Sequence, residues 1–345
     1  MNKRKLKSVL IITEASENIG MGHVVRCLAL AHILKNKFNV EFLLYNWTNA
    51  VTELIRENEF TCFILNKESS DEDKHIESHD IVVLDGYNFT PMLSDKIKSK
   101  QKYLIQIDDL HNQHYVADCI INVSDSVTKN DFITAPYTKL FLGSKYVMLR
   151  KIFNEFGMKP ARNILSITSV FISMGGSDLN NNSLKALEAC LLIPEINTIH
   201  IVIGITNSHE SELHAFIEKN KQKKKIVLYK NLNSESFCNL LFSSQLAICP
   251  ASGTCMEACA VGIGLISGYT ADNQLGILNG LIKNDCAFNL GDINKISTPE
   301  IRNKMEFCIQ NPEQINKQIV NQKKLIDGQS PQRLLAIFDK LEDAH

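Results

Sequence analysis

His23 is the residue of this chain best placed for acid–base chemistry. It stands in Gly20-Met21-Gly22-His23-Val24-Val25-Arg26-Cys27-Leu28-Ala29-Leu30-Ala31, shortly after the apolar run Ser8-Val9-Leu10-Ile11-Ile12. That order reads as a strand, a tight glycine turn and a helix N-terminus. The first N–H groups of a helix lack intrahelical acceptors, and the helix dipole adds positive potential. An anion fits such a turn, and a histidine there could act beside a phosphate-bearing substrate. The same histidine could equally cap its own loop. Acids stand where two further apolar runs end, in Leu84-Asp85-Gly86-Tyr87 and Ile107-Asp108-Asp109-Leu110. Strand-end acids are usually turn-formers. One of them close to His23 would orient the ring and favour its protonated form.

The second half of the chain offers anion-binding turns. Met174-Gly175-Gly176-Ser177-Asp178 and Pro250-Ala251-Ser252-Gly253-Thr254 each follow an apolar run and precede a helical pattern. Glycine lets backbone amides approach a phosphate without an intervening side chain. Glu257 follows Thr254 by three residues, where its carboxylate could accept bonds from two vicinal ribose hydroxyls. It could also close a capping box with Thr254 as N-cap. Asp272-Asn273-Gln274 could cap the next helix or offer amides to a sugar. Other nucleotide and hydrolase motifs fail on spacing. Val25 stands where a dinucleotide fingerprint needs its third glycine, and neither a P-loop Gly-Lys-Ser/Thr nor a GxSxG elbow occurs.

These residues need sheets to position them. Strands are expected at 8–13, 39–44, 61–65, 80–85, 103–107 and 119–122, then at 169–174, 199–203, 226–229, 246–249, 263–266 and 286–290. Helical patterns lie between them, from 23–36 through 254–260 to 312–325 and 330–342. Alternation of this kind implies parallel sheets with helices on both faces, and ligands bind at the strand C-terminal ends. At 345 residues two domains are expected, with the boundary at 150–167. The net charge of -1 provides no global field for nucleic acid or an anionic membrane. No apolar run approaches the roughly 20 residues of a bilayer span. The basic start Met1–Lys7 precedes an apolar run too short for a signal-peptide core. The ten cysteines are irregularly spaced and do not form zinc-site pairs. They read as small buried hydrophobes of a reducing cytoplasm, with no metal expected.

Taken together, the motif around Gly20–Ala31, Asp85-Gly86-Tyr87, Asp108-Asp109, Ile121-Asn122-Val123, Tyr146–Arg150, Met174–Asp178, Ser252-Gly253-Thr254 with Glu257, and Asn273-Gln274 resembles the PseG/SpsG family. Its members are UDP-2,4-diacetamido-2,4,6-trideoxy-β-L-altropyranose hydrolases of pseudaminic acid biosynthesis, related to MurG-type glycosyltransferases. The resemblance implies an α/β, GT-B-like fold of two Rossmann-like domains with parallel sheets facing a central cleft. Residues 1–155 would carry the catalytic histidine and 165–310 would bind UDP. The helices of 311–345 would pack back on the first domain. His23 would be the base that activates water. Gly22, Arg26, Asp85 and Tyr87 would serve the sugar side. Gly176, Ser252, Gly253 and Thr254 would hold the diphosphate, Glu257 the ribose, and Asn273 and Gln274 the sugar or diphosphate. No cofactor or metal is implied, and a monomer with a small-molecule partner is expected.

Two positions depart from the family pattern. The family usually has Arg-x-Asp near the end of the first strand, where this chain reads Ile12-Thr13-Glu14, so Glu14 keeps the acid and the arginine is missing. The family often has histidine where this chain has Gly86. Both lie close to where the sugar is expected. Two other functions compete with the hydrolase: a GT-B transferase using the same UDP cradle with an acceptor hydroxyl, and a non-catalytic sugar-nucleotide binder. The lack of an amphipathic apolar face beside Met1–Lys7 favours the hydrolase over a transferase that meets lipid-linked acceptors. The intact His23 motif argues against a mere binder.

Overall fold

The computed structural model describes residues 6–14, 21–45, 47–65 and 71–342. Gly20, Ile19 and residues 1–5 of the basic start lie outside the described residues. The chain forms two compact units, one of residues up to Met148 together with Ser330 onward, the other of Leu149–Gln329.

The first unit runs β1 (Ser8–Glu14), α1 (Gly22–Leu34), β2 (Asn39–Tyr45), α2 (Asn49–Glu57), β3 (Thr61–Ile64), α3 (Asp71–Glu77), β4 (Ile81–Asp85), α4 (Pro91–Ser99), β5 (Tyr103–Ile107), β6 (His114–Tyr115), β7 (Cys119–Asn122), β8 (Ile133–Thr134) and β9 (Lys139–Leu142). Seven strands make a parallel sheet in the order β3-β2-β1-β4-β5-β7-β9, and β6 pairs with β8 apart from it. β1 and β4 are buried along nearly their whole length, as expected of strands covered on both faces. The chain first builds outward from β1 through β2 to β3, then returns to place β4 on the other side of β1. The switch point therefore lies between β1 and β4, where Thr13 pairs with Asp85.

The second unit runs α5 (Lys151–Gly157), β10 (Ser169–Ile172), α6 (Asn182–Leu191), β11 (Thr198–Ile203), α7 (Glu210–Asn220), β12 (Lys225–Lys230), α8 (Ser234–Ser243), β13 (Leu246–Pro250), α9 (Gly253–Val261), β14 (Gly264–Tyr269), α10 (Leu275–Lys283), β15 (Phe288–Asp292), α11 (Thr298–Gln310) and α12 (Pro312–Leu325). Its six parallel strands are ordered β12-β11-β10-β13-β14-β15, so this switch point lies between β10 and β13. The last helix, α13 (Ser330–Glu342), belongs to the first unit.

Three details differ from the sequence expectation. Residues 311–345 do not act as one segment. The α12 glutamines are tied to the second sheet: Gln318 accepts from Leu265 N at 2.7 Å, and Gln322 donates to Cys286 O at 2.8 Å. In contrast, α13 sets Phe338 edge-on to Phe38 at 5.9 Å in the first unit. Residues 149–155 go with the second unit, where Phe153 of α5 meets Phe237 of α8 at 6.3 Å. Finally, α3, α5, β6, β8 and β9 stand where no element is expected. The α3 segment is polar, with Ile76 its one buried residue, and carries no apolar period to read. Among the described residues no helix is long and apolar enough to cross a membrane. No group of three His, Cys, Asp or Glu side chains there is placed to hold a metal.

Candidate active site

The first switch point gathers a charged, mostly buried cluster. Gly22 and His23 open α1, and Asp85 ends β4. His23 Nδ1 lies 2.6 Å from Asp85 Oδ1. Arg26, one helical turn on, grips the same carboxylate through Nε at 2.7 Å and Nη2 at 2.5 Å. Its Nη1 reaches Asp109 Oδ2 at 2.8 Å. Burial alone would raise the Asp85 carboxyl. The Arg26 charge and the bonds from Arg26 and His23 overcome this and hold it well below the usual carboxylate range. Asp85 therefore only accepts hydrogen bonds. Nδ1 of His23 must donate to it, and in the neutral ring Nε2 keeps the lone pair. Arg26 Nη2 also sits 3.1 Å from Nδ1, where donor faces donor, and its bonding runs to the carboxylate.

Tyr87 completes this cluster. Its ring stands edge-on to His23, with centroids 4.3 Å apart and planes at 78°. Its hydroxyl donates to Asp109 Oδ2 at 3.2 Å. Glu14 at the end of β1 is fully buried, and its Oε1 accepts the Tyr87 N–H at 2.7 Å. Asp108 keeps the turn-forming role. Its carboxylate takes the N–H of His111 at 2.7 Å and the Tyr115 hydroxyl at 2.8 Å. Asp85 needs a different role from the substrate contact expected of it. It is fully buried and its oxygens are taken by His23, Arg26 and Cys27, so it positions the imidazole. Gly22 is exposed at the helix start, with nothing within 4 Å of where a Cβ would stand.

The second switch point is built from backbone. Gly175 has a positive φ of 88° after β10, and the turn beside it approaches a second one. A Cβ at Gly204 would lie 2.4 Å from the Gly176 carbonyl oxygen, so the two backbone segments pack together without side chains. Thr206 Oγ1 donates to that same oxygen at 3.1 Å. Asp178 accepts the N–H groups of Asn182 and Ser183 at 2.8 and 2.9 Å, pinning the Gly175–Asp178 turn to the start of α6. Across the switch point, Ser252 is the N-cap of α9, and Gly253 and Thr254 are its first two residues. Their N–H groups have no intrahelical acceptor. Asn273 and Gln274 lie in the short 3-10 turn after β14, the neighbour of β13. Gln274 Oε1 accepts from Thr270 N at 2.8 Å, so its carbonyl shapes its own turn.

Glu257 is not in a capping box. With Ser252 as N-cap it stands five residues along, beyond reach of the cap N–H. It is buried, and both Arg150 contacts, from Nε and Nη2 at 2.8 Å each, fall on Oε1. Among the described residues no hydrogen bond falls on Oε2. Burial raises the Glu257 carboxyl and Arg150 opposes that shift. Arg150 itself lies over the rings of Phe153 and Phe237, at 4.9 and 5.3 Å. In the sequence Arg150 stands in a motif and Asp109 at a strand end, with no local signal that assigns either to the site. Gly204 carries no local signal either, because only the fold brings positions 176 and 204 into contact.

No protein-family model matches the chain. It is 26% identical over 256 residues to the UDP-2,4-diacetamido-2,4,6-trideoxy-beta-L-altropyranose hydrolase of Campylobacter jejuni, covering 72% of this chain and 87% of that protein. It is 24% identical over 295 residues to the spore coat polysaccharide biosynthesis protein SpsG of Bacillus subtilis, covering 81% and 83%. The chain is a distant homologue of both. An uncharacterized protein of Methanocaldococcus jannaschii is 30% identical over 280 residues, or 77% of this chain. The match spans just over half of that protein, 56% of its length. Among solved structures, Acinetobacter baumannii MurG superposes with a TM-score of 0.65 at 13% identity, covering 97% of this chain and 99% of that one. Anabaena HepE in complex with UDP-glucose gives 0.62 at 13% identity, covering 96% and 99%. The fold is thus that of the GT-B glycosyltransferases, with two Rossmann-like units.

Proposed function

We propose that this chain is a UDP-sugar enzyme that hydrolyses a UDP-linked diacetamido-trideoxy sugar to the free sugar and UDP. The favoured substrate is UDP-2,4-diacetamido-2,4,6-trideoxy-β-L-altrose of pseudaminic acid biosynthesis, by homology to the Campylobacter jejuni protein. The observation that carries the reading is the His23–Asp85 pair at the first switch point, with Nδ1 bonded and Nε2 left as a base. Nε2 takes a proton from water as the water oxygen attacks the anomeric carbon. The bond from that carbon to the diphosphate oxygen breaks, with inversion, and UDP leaves. General-base catalysis of this kind contributes about 10²–10⁴-fold. The second unit holds the nucleotide. Amides at Gly176, Gly253 and Thr254 and the Ser252 hydroxyl meet the diphosphate, stabilising the charge that develops on it. Glu257 Oε2 accepts from the ribose, and Asn273 and Gln274 line the sugar or diphosphate. The chain acts as a cytoplasmic monomer.

UDP release from that sugar nucleotide, with no acceptor present, tests the reading. Release by the native chain that collapses in His23→Ala supports it. If UDP binds but is not released until an acceptor alcohol is added, the chain is a transferase instead.

A further inference from the structure

Gly86, which departs from the family pattern, and Glu14, which keeps that pattern's acid where its arginine is missing, are one structural feature. Gly86 does not adopt a left-handed backbone, so conformational freedom does not explain it. Space does. A Cβ at position 86 would lie 2.7 Å from Phe89 Cε2 and 2.9 Å from both Cγ and Oε1 of Glu14. The Glu14 side chain occupies that volume because it binds the turn that follows. Its Oε1 accepts the N–H groups of Tyr87 at 2.7 Å and Asn88 at 3.0 Å, and its Oε2 accepts from Asn88 Nδ2 at 2.8 Å. Hydrogen bonds to an ionised acceptor are the stronger class, and here three converge on one buried carboxylate.

The turn so held carries Tyr87, which is fixed at both ends, through its N–H by Glu14 and through its hydroxyl by Asp109. The Tyr87 ring abuts the imidazole. A single bond from Nδ1 to Asp85 leaves the His23 ring free to tilt about that bond, and the Tyr87 edge-on contact limits the tilt. We propose that Glu14 is a positioning residue: it fixes Tyr87 against His23, thereby aims Nε2, and requires glycine at position 86. The catalytic consequence rests on His23 being the base. The positioning itself does not.

Four variants test it: Glu14→Ala, Glu14→Gln, Gly86→Ala and the double Glu14→Ala/Gly86→Ala. Each is followed by UDP release from the diacetamido sugar nucleotide and by NMR of isotope-labelled histidine rings. Glu14→Ala is expected to lower kcat about thirtyfold, because a displacement near 1 Å costs up to about a hundredfold. KM and UDP affinity stay within about twofold, since the nucleotide is held by the other unit. Glu14→Gln recovers most of the rate. Its oxygen still takes two backbone N–H groups, and Asn88 can turn its amide to accept from the new NH₂. Gly86→Ala lowers kcat in the native background and costs much less alongside Glu14→Ala, where its contacts with the Glu14 side chain are gone.

In the NMR spectra, the ring-current shift that Tyr87 imposes on His23 persists in Glu14→Gln and collapses in Glu14→Ala. Equal rates and equal His23 shifts in Ala, Gln and native chains would overturn the proposal. So would additive effects of the two alanine changes. If Glu14→Ala does not fold, Glu14→Asp replaces it, since its shortened carboxylate cannot reach both amides. An Asp variant indistinguishable from native in rate and shift would likewise overturn it. A native chain that releases no UDP yet shows the expected shift pattern would refute the hydrolase reading and leave the positioning intact.

Discussion

The two sheets follow one plan and put opposite chemistry at the same point. At the β1/β4 switch point the ends are filled with side chains: His23, Arg26, Asp85, Tyr87, Asp109 and Glu14, bonded to one another. At the β10/β13 switch point they are stripped to backbone: Gly175, Gly176 and Gly204 on one side, Ser252 and Gly253 on the other, with Glu257 set back along α9. Under the proposed reaction, the difference follows from what each would handle. Proton transfer needs one lone pair aimed in one direction, so the first unit surrounds a ring with partners that stop it turning. A diphosphate spreads its charge over many oxygens and is held by several N–H donors, which glycine leaves uncovered.

Substitutions can break the comparison from either side. The largest effect is expected from His23→Ala, which should lower kcat by about 10³-fold with UDP affinity unchanged. Calorimetry with UDP alongside the rate assay checks this, and a parallel loss of UDP binding would erase the division of labour. On the other side, Gly204→Ala drives a Cβ into the Gly176 backbone. It should weaken UDP about tenfold or more while the His23 ring resonances stay put, the strain being of the kind that costs about 1–3 kcal/mol. Arg150→Met leaves the buried Glu257 carboxylate without its cation. Its expected cost is about a fivefold weaker UDP affinity, with kcat at saturation nearly unchanged.

The pH dependence should be seated in the first unit. The Asp85 carboxyl is depressed below its ordinary value of 3.8. It thus contributes stability that is fully present above that value and lost as the pH falls towards the folded-state one. Urea midpoints should hold steady from neutral pH to about 5 and drop below about 4. Asp85→Asn should be less stable at pH 7 and show a shallower acid decline; an acid decline equal to that of the native chain would place the titration elsewhere. The smallest effect is expected at Gly22. Nothing stands within 4 Å of where its Cβ would lie, so Gly22→Ala should shift stability by less than about 1 kcal/mol. A large loss of activity with stability intact would show that the exposed start of α1 meets the substrate.

Much of this was legible in order along the chain. Runs such as Ile81-Val82-Val83-Leu84 announce a doubly covered strand, because no polar alternation is needed when both faces are buried. The glycine turns after β10 and before α9, and the start of α1 at His23, were readable from local spacing. Roles that depend on partners were not. Asp85 was expected to meet a ligand and is instead enclosed. For Glu257 the spacing allowed a capping box beside the ribose role, and the N-cap at Ser252 rather than Thr254 removes the capping box. The acid kept at Glu14 and the glycine at position 86 looked unrelated, and nothing local joins positions 72 residues apart.

By itself the sequence determined the alternation of strands and helices, hence two parallel sheets, and the turns at which each could bind or react. Hydrophobic period and glycine placement act over a few residues, so they are written locally. Only the tertiary structure decided which acid holds His23, which oxygen of Glu257 stays open, why position 86 bears no side chain, and that α12 and α13 part company. These depend on distances between groups far apart in sequence. A buried charge or a missing Cβ has meaning only against the neighbours that packing brings to it.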